Sequence, residues 1–311
     1  MSISDITSSG SIPTPSLSIS PETITKPMSS FKSSKFVSGS KDFLNSNSIV
    51  AKFAFLILII IVFLFLLRAF VMLIGWFLTP SGKPYLSKGL SEGRTFKIVE
   101  VDPGMYGSKP ILRSNNQKKG IEFTWSVWVY IDNLEYKQGQ YKHIFHKGND
   151  SVVLNGGDVG LMDGGGINYP FNSPGLYIGP DKNTLVVFMN TFSENKILER
   201  IEIEDIPIKK WFNVIIRNEG RNFDVFINGT IVKRLILKTP PRQNYGKVYI
   251  SQNGGFAGYN SNLRYFNYAL GTRDIQSIID SGPNLKGMDD NTPFKQSMNK
   301  YLSMRWYFYG N

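Results

Sequence analysis

The chain is 311 residues long, with 35 Lys/Arg against 24 Asp/Glu, a net charge of +11, two histidines and no cysteine. The missing cysteine removes disulfides, thiol catalysis and every Cys-based zinc site. The positive excess is spread along the chain with no basic stripe and no recognisable nucleic-acid module, so no nucleic-acid partner is expected.

Residues 1–48 are rich in Ser and Thr, carry Pro13, Pro15, Pro21 and Pro27, and hold few large apolar groups. Such a segment cannot bury enough surface to offset its ordering entropy, and it reads as a disordered tail. The run 53–78, FAFLILIIIVFLFLLRAFVMLIGWFL, is apolar on every helical face and is broken by one charge, Arg68. Its length as a helix, roughly 39 Å at about 1.5 Å per residue, exceeds the roughly 30 Å hydrocarbon core. It begins too far from the N-terminus for a signal peptide and reads as an uncleaved single-pass anchor over 49–79, so the membrane is the first expected partner. Arg68 is expected to snorkel to the headgroups with Trp76 at the boundary; the alternative is a pairing with a partner helix or a lipid phosphate. Lys35, Lys41 and Lys52 before the helix balance Lys83, Lys88, Arg94 and Lys97 after it, which leaves orientation undecided. A Gly/Pro/Lys-rich linker over 80–93 follows.

From Arg94 the pattern turns to strands. In IEFTWSVWVYID, Ile121, Phe123, Trp125, Val127, Val129 and Ile131 alternate with Glu122, Thr124, Ser126, Trp128 and Tyr130, a period of two. The first set, with Trp211 of a later strand, is expected in the core. Further strands read at 176–179, 184–190, 197–206, 211–218, 222–228, 230–237, 246–251 and 262–268. Asn228-Gly229 between two of them is the preferred type I′ hairpin pair. Many short strands with turns between them indicate an all-β antiparallel sandwich. His143 and His146, three apart in YKHIFHKG, would point to opposite faces of a strand and make a poor metal pair. One short helix closes the domain, with Gly271 as N-cap, an apolar stripe of Ile275, Ile278 and Ile279, and a stop at Gly282-Pro283. The tail 287–311 ends in KYLSMRWYFYGN and is expected to pack on the sandwich or on a partner.

The order FTWSVWVYI, IFHKGND, IPIKKWFNVIIRNEGRNFDVFINGTIV, GFAGYNSNLRYFNYALGTRDIQSIIDSGP resembles the laminin-G-like branch of the concanavalin A-like lectin/glucanase superfamily over residues 120–285. The resemblance implies a jelly-roll β-sandwich of two curved antiparallel sheets, with the domain spanning 94–286. The Lys/Asn/Ile-rich composition and a single module on a bare anchor are also similar in style to membrane proteins of large DNA viruses. That style implies a place on a virion membrane or on the infected cell.

Some proteins of this superfamily are glycosidases, which need two carboxylates flanking the scissile bond. In Glu199-Arg-Ile-Glu202-Ile-Glu204-Asp205, Glu202 and Glu204 share a strand face opposite Ile201 and Ile203, which is the pattern of a solvated face. The laminarinase-type pattern Glu-x-Asp-x-x-Glu is absent. The Gly-rich stretch holding Asn155, Asp158, Asp163 and Asn168 reads as a loop; its oxygens suit a ligand or, as the alternative to no cofactor at all, calcium. Tyr259 and Asn260, in the loop region 254–262, join these as ligand-binding candidates. Trp128 and Tyr130 form an aromatic platform for a sugar or peptide if their face is open; the competing expectation is that protein covers it. Asn149-Asp-Ser151 and Asn228-Gly-Thr230 fit the N-glycosylation pattern. The sequence thus describes a single-pass membrane protein that displays a non-catalytic, lectin-like sandwich with a glycan or protein partner, its C-terminal domain extracytoplasmic or on a virion membrane. The alternatives are a membrane-bound glycoside hydrolase and a purely structural scaffold or minor capsid protein.

Overall fold

The computed structural model of the chain describes residues 49–114, 117–154, 164–192 and 198–286. The Ser/Thr-rich segment 1–48, the aromatic tail 287–311 and the candidates Asn155, Asp158 and Asp163 lie outside the described residues. The described residues fall into two units, one ending at Thr79 and the other beginning at Pro80.

The first contains α1, Ile49–Leu78, one uninterrupted helix of 30 residues, about 45 Å long. Its large apolar side chains are exposed along the whole length. In length and composition it suffices to cross a membrane.

The second unit is a sandwich of two six-stranded antiparallel sheets. Sheet one runs β1 (Tyr85–Glu92), β14 (Gly258–Phe266), β3 (Glu122–Ile131), β10 (Trp211–Glu219), β11 (Asn222–Ile227), β12 (Thr230–Ile236). Sheet two runs β2 (Lys97–Val99), β13 (Lys247–Ile250), β4 (Lys142–Gly148), β7 (Asn172–Ile178), β8 (Thr184–Asn190), β9 (Leu198–Glu204). A two-stranded ladder joins β5 (Val152–Val153) to β6 (Ile167–Asn168), and α2 (Thr272–Ser281) follows β14. The strand period of two generates the core: Phe123, Trp125, Val127 and Val129 of β3 and Phe212, Val214 and Ile216 of β10 meet Phe145, Leu176, Leu185, Val187, Ile201 and Val248 from sheet two. Trp125 stacks on Phe145 at 5.3 Å and meets Tyr265 edge-on at 5.1 Å. The Asn228-Gly229 turn has φ of 48° and 85° and joins Ile227 to Thr230, as a type I′ hairpin requires.

Three sequence expectations are corrected. The segment read as a linker to residue 93 contains β1, an edge strand whose Ser87, Leu90 and Ser91 pair with Leu263, Ser261 and Asn260. Trp211 is buried but not between the sheets. It faces Tyr130 across the β10·β3 ladder, and parity sends Phe212, not Trp211, into the core. His143 and His146 share one face. Along β4·β7 the pairing advances from His143↔Tyr177 to Phe145↔Leu176, so Ile144 is an extra, bulged residue. The bulge puts both Ile144 and Phe145 in the core and both histidines on the outer face.

Candidate binding site

Both outer faces of the sandwich are covered. On sheet one, α2 lays Ile279 on Trp128, Tyr130 and Trp211, and Ile275 on Ile215, Phe226, Phe266 and Leu270. The helix is amphipathic, which is why only Ile275 and Ile279 are fully buried. It starts at Gly271, with no side-chain cap, and ends where Gly282 adopts φ 67° and donates its N–H to the Ile279 carbonyl. Trp128 and Tyr130 are 2% and 7% exposed, so they do not form an open platform; they anchor the helix. Tyr259 is half-buried beside Tyr130, and Asn260 is buried, donating to Ser251 Oγ at 3.5 Å. The same face holds Asp224, fully buried, with Arg217 at 2.7 Å and Arg234 at 2.6 Å. Burial raises its carboxyl pKa, but the two guanidinium groups outweigh that and hold it below the usual range.

On sheet two the segment around β5 and β6 packs over Tyr177, Val186 and Phe188 through Ile167 and Tyr169. Beneath it lies a buried polar network. His143 Nε2 and His146 Nδ1 are 2.7 Å apart, His146 Nε2 is 2.7 Å from the Asn149 carbonyl, and the Gln252 N–H donates to His143 Nδ1 at 2.9 Å. A carbonyl only accepts, so His146 carries its proton on Nε2 and accepts on Nδ1. His143 then donates from Nε2 and accepts on Nδ1. Two neutral imidazoles satisfy every contact. Burial, then the neighbouring His146, holds the His143 pKa well below its ordinary value. Burial lowers that of His146 to about 4 against the opposing effect of the Asn149 carbonyl. Asn168 also belongs to this network: it is buried, donates to Gln252 Oε1 at 2.9 Å, and its backbone N–H meets the Tyr177 hydroxyl at 3.3 Å. Among the described residues no three acidic or histidine side chains gather as a cation site. The carboxylates of β9 do not converge on a cleft either. Glu199 accepts from the Lys238 N–H at 3.0 Å, Glu202 pairs with Arg200 at 3.3 Å in solvent, and Glu204 is exposed.

One end of the sandwich is open, where β3 and β7 begin and β4, β8 and β14 finish. A cavity of about 570 Å³ lies there, floored by Phe123, Trp125, Met189 and Tyr265 and rimmed by Arg113, Arg242, Asn244 and Tyr245. Tyr245 is 79% exposed. Lys147 lines it too: two residues after Phe145 and opposite Val248, it occupies a core-facing position and is buried. Its Nζ donates to the Gly246 carbonyl at 2.6 Å, and burial lowers its pKa to about 8. An apolar floor with a few convergent polar groups is the ordinary build of a ligand site. None of these residues stood out in the sequence as a binding residue, although Phe123 and Trp125 read as core. The available signal was Lys147 itself, a cation in phase with the apolar residues of its strand.

No protein-family profile matches the chain, and no curated protein matches it. Among solved structures it is similar to the receptor binding domain of botulinum neurotoxin D, at 13% identity over 64% of this chain and 43% of that one, with a TM-score of 0.42. It is also similar to that of the C/D mosaic serotype, at 12% over 51% and 36%, TM-score 0.38. A third match is the serotype D ligand binding domain in complex with N-acetylneuraminic acid, at 10% over 63% and 46%, TM-score 0.42. The chain spans less than half the length of each of these structures.

Proposed function

We propose that this chain is a single-pass membrane protein whose laminin-G-like, non-catalytic sandwich takes a glycan in its end cavity, displayed on an extracytoplasmic or virion membrane. The observation that carries the reading is the cavity itself, with core aromatics for a floor and the exposed ring of Tyr245 at its mouth. Aromatic and apolar surface suits a sugar ring, and the amide and guanidinium groups of Asn244, Arg113 and Arg242 suit its hydroxyls. Tethering through α1 would let several weak contacts sum by effective concentration, so modest affinity at each site suffices.

The test is a glycan array probed with the intact chain in lipid nanodiscs. Retention of a defined set of glycans, weakened about tenfold or more by Tyr245→Ala (about 1.4 kcal/mol), is expected. Retention untouched by Tyr245→Ala, or hydrolysis that disappears in Glu202→Gln, would overturn it. For the anchor, resistance to alkaline carbonate extraction is expected, and full release would refute the span. A second reading, a structural scaffold, is favoured by the covering of both sheet faces by α2 and by the β5–β6 segment. An array with no retained glycan supports that reading.

A further inference from the structure

We propose that the end cavity selects an acidic saccharide, its ring against Tyr245 and its carboxylate or sulfate held by Lys147, Arg113 and Arg242. This rests on reading the cavity as the recognition site, and it goes further by naming the class of ligand.

Lys147 is a cation in an apolar setting. Its neighbours on the core face, Phe145, Val248 and Ile250, are apolar, and the position is 7% exposed. A buried ammonium is costly unless paired, yet the single hydrogen bond to the Gly246 carbonyl uses one of its three N–H donors. Among the described residues no carboxylate lies within ion-pair distance of Lys147, Arg113 or Arg242. Three cations therefore line one cavity with no ion-pair partner among the described residues.

Two carboxylates line the same cavity, Asp102 and Glu122. Asp102 is turned back on its own loop, accepting the Gly104 N–H at 2.9 Å. Glu122 has the outer-face parity of Thr124 and accepts the Ala269 N–H at 3.4 Å. Neither reaches the cations. The burial that lowers the Lys147 pKa to about 8 leaves it mostly protonated at neutral pH, and an incoming anion would stabilise that charge. Guanidinium groups match carboxylate and sulfate in a bidentate way, whereas the buried ammonium supplies a point charge. The apolar floor and the Tyr245 ring distinguish a saccharide from a bare inorganic anion, which would have no use for them.

The experiment is calorimetric titration of the intact chain in phosphatidylcholine nanodiscs, so that the lipid brings no net charge. Four probes are compared: a hexuronate tetrasaccharide, a sulfated tetrasaccharide, a neutral tetrasaccharide of equal length, and inorganic phosphate. At least one acidic oligosaccharide is expected to bind about tenfold or more tighter than the neutral one, with affinity falling as salt rises from roughly 0.05 to 0.5 M. The uronate and sulfate arms decide which anion the site prefers. Lys147→Met and Arg242→Gln should each lose about tenfold or more. Lys147→Met should melt no lower than the parent, because it removes an unpaired buried charge. A merely structural lysine would not give both results. Should Lys147→Met fail to fold, Arg242→Gln, on an exposed side chain, decides alone. Equal binding of the neutral probe that is lost in Tyr245→Ala would overturn the acidic preference and leave the cavity reading intact. Acidic binding untouched by the folded variants would overturn the assignment of these residues. Binding of phosphate as tight as that of the acidic sugars would overturn the saccharide. Absence of binding by all four would sink this proposal and count against the glycan reading itself.

Discussion

Acidification should loosen the sandwich through its paired histidines, in a pH window set by their burial. An unfolded imidazole titrates near pH 6.5, whereas burial holds His146 at about 4 and His143 well below its ordinary value in the folded chain. As pH falls below about 6.5 the unfolded state therefore takes up protons that the native state refuses, and stability falls with it. It is complete above that pH and is progressively lost down to the folded pKa. At pH 5 the difference is about 2 kcal/mol for His146, and His143 adds to it in the same direction. For a domain of this size the His146 share alone is a fall in Tm of about 4–8 °C between pH 7 and pH 5. Carboxylates as a class titrate below this window, Asp224 is held lower still and Tyr177 higher than usual, so the interval isolates the imidazoles. The assay is urea unfolding of the intact chain in detergent, followed by near-UV circular dichroism at half-unit pH steps. His143→Gln and His146→Gln are compared with the parent. The variants should start less stable at pH 7 and show a flatter decline. A parent whose stability is level from pH 7 to 5, or variants with the same slope as the parent, would refute the reasoning.

Trp125→Ala, by emptying the centre of the aromatic cluster with Phe145 and Tyr265, should cost about 3–5 kcal/mol in the same assay; a loss under about 1 kcal/mol would show that the site is not packed as described. Asp224→Ala leaves Arg217 and Arg234 without their shared acid and should cost about 3–5 kcal/mol, more than Glu202→Ala at a half-exposed position, whose pair with Arg200 is worth about 0–1 kcal/mol. Gly229→Ala combines a φ of 85° with a Cβ that would lie 3.2 Å from Ile279 Cγ1. It should destabilise by about 1–3 kcal/mol, and an unchanged midpoint would show that α2 does not clamp the turn.

Much of this architecture was legible because β3, β10 and the Asn228-Gly229 hairpin carry regular signals: strict alternation and a turn pair of known handedness. The side on which each residue ended was less legible. β3 buries both faces, and the sequence does not distinguish a face that meets a second sheet from one that meets a helix; hence the face of Trp128 read as either an open platform or a covered one, and Trp211 as sandwich core. The single inserted residue at Ile144 reverses the phase of β4, and no local motif announces it, so the histidine contact was invisible. β1 was hidden for another reason: YLSKGLSE has weak alternation, and its pairing is supplied by a strand far along the chain. The cavity residues come from loops and strand ends, and only the fold assembles them.

The pairing of β1 with β14 has a consequence for the order of assembly. Gly89 donates its N–H to Asn262 Oδ1 across 173 positions of sequence, so the first strand of the sandwich in chain order is made first and completed almost last. Until α2 emerges after β14, Trp128, Tyr130 and Trp211 have no cover. A ribosome that has delivered residues 80–257 has delivered nearly every strand of the sandwich, yet sheet one still lacks the strand that lies between β1 and β3. Such non-local closure is slow and leaves apolar surface open in the interval. For the nascent chain, the last thirty or so described residues act as a fastening, and the vulnerable moment is the one just before they arrive.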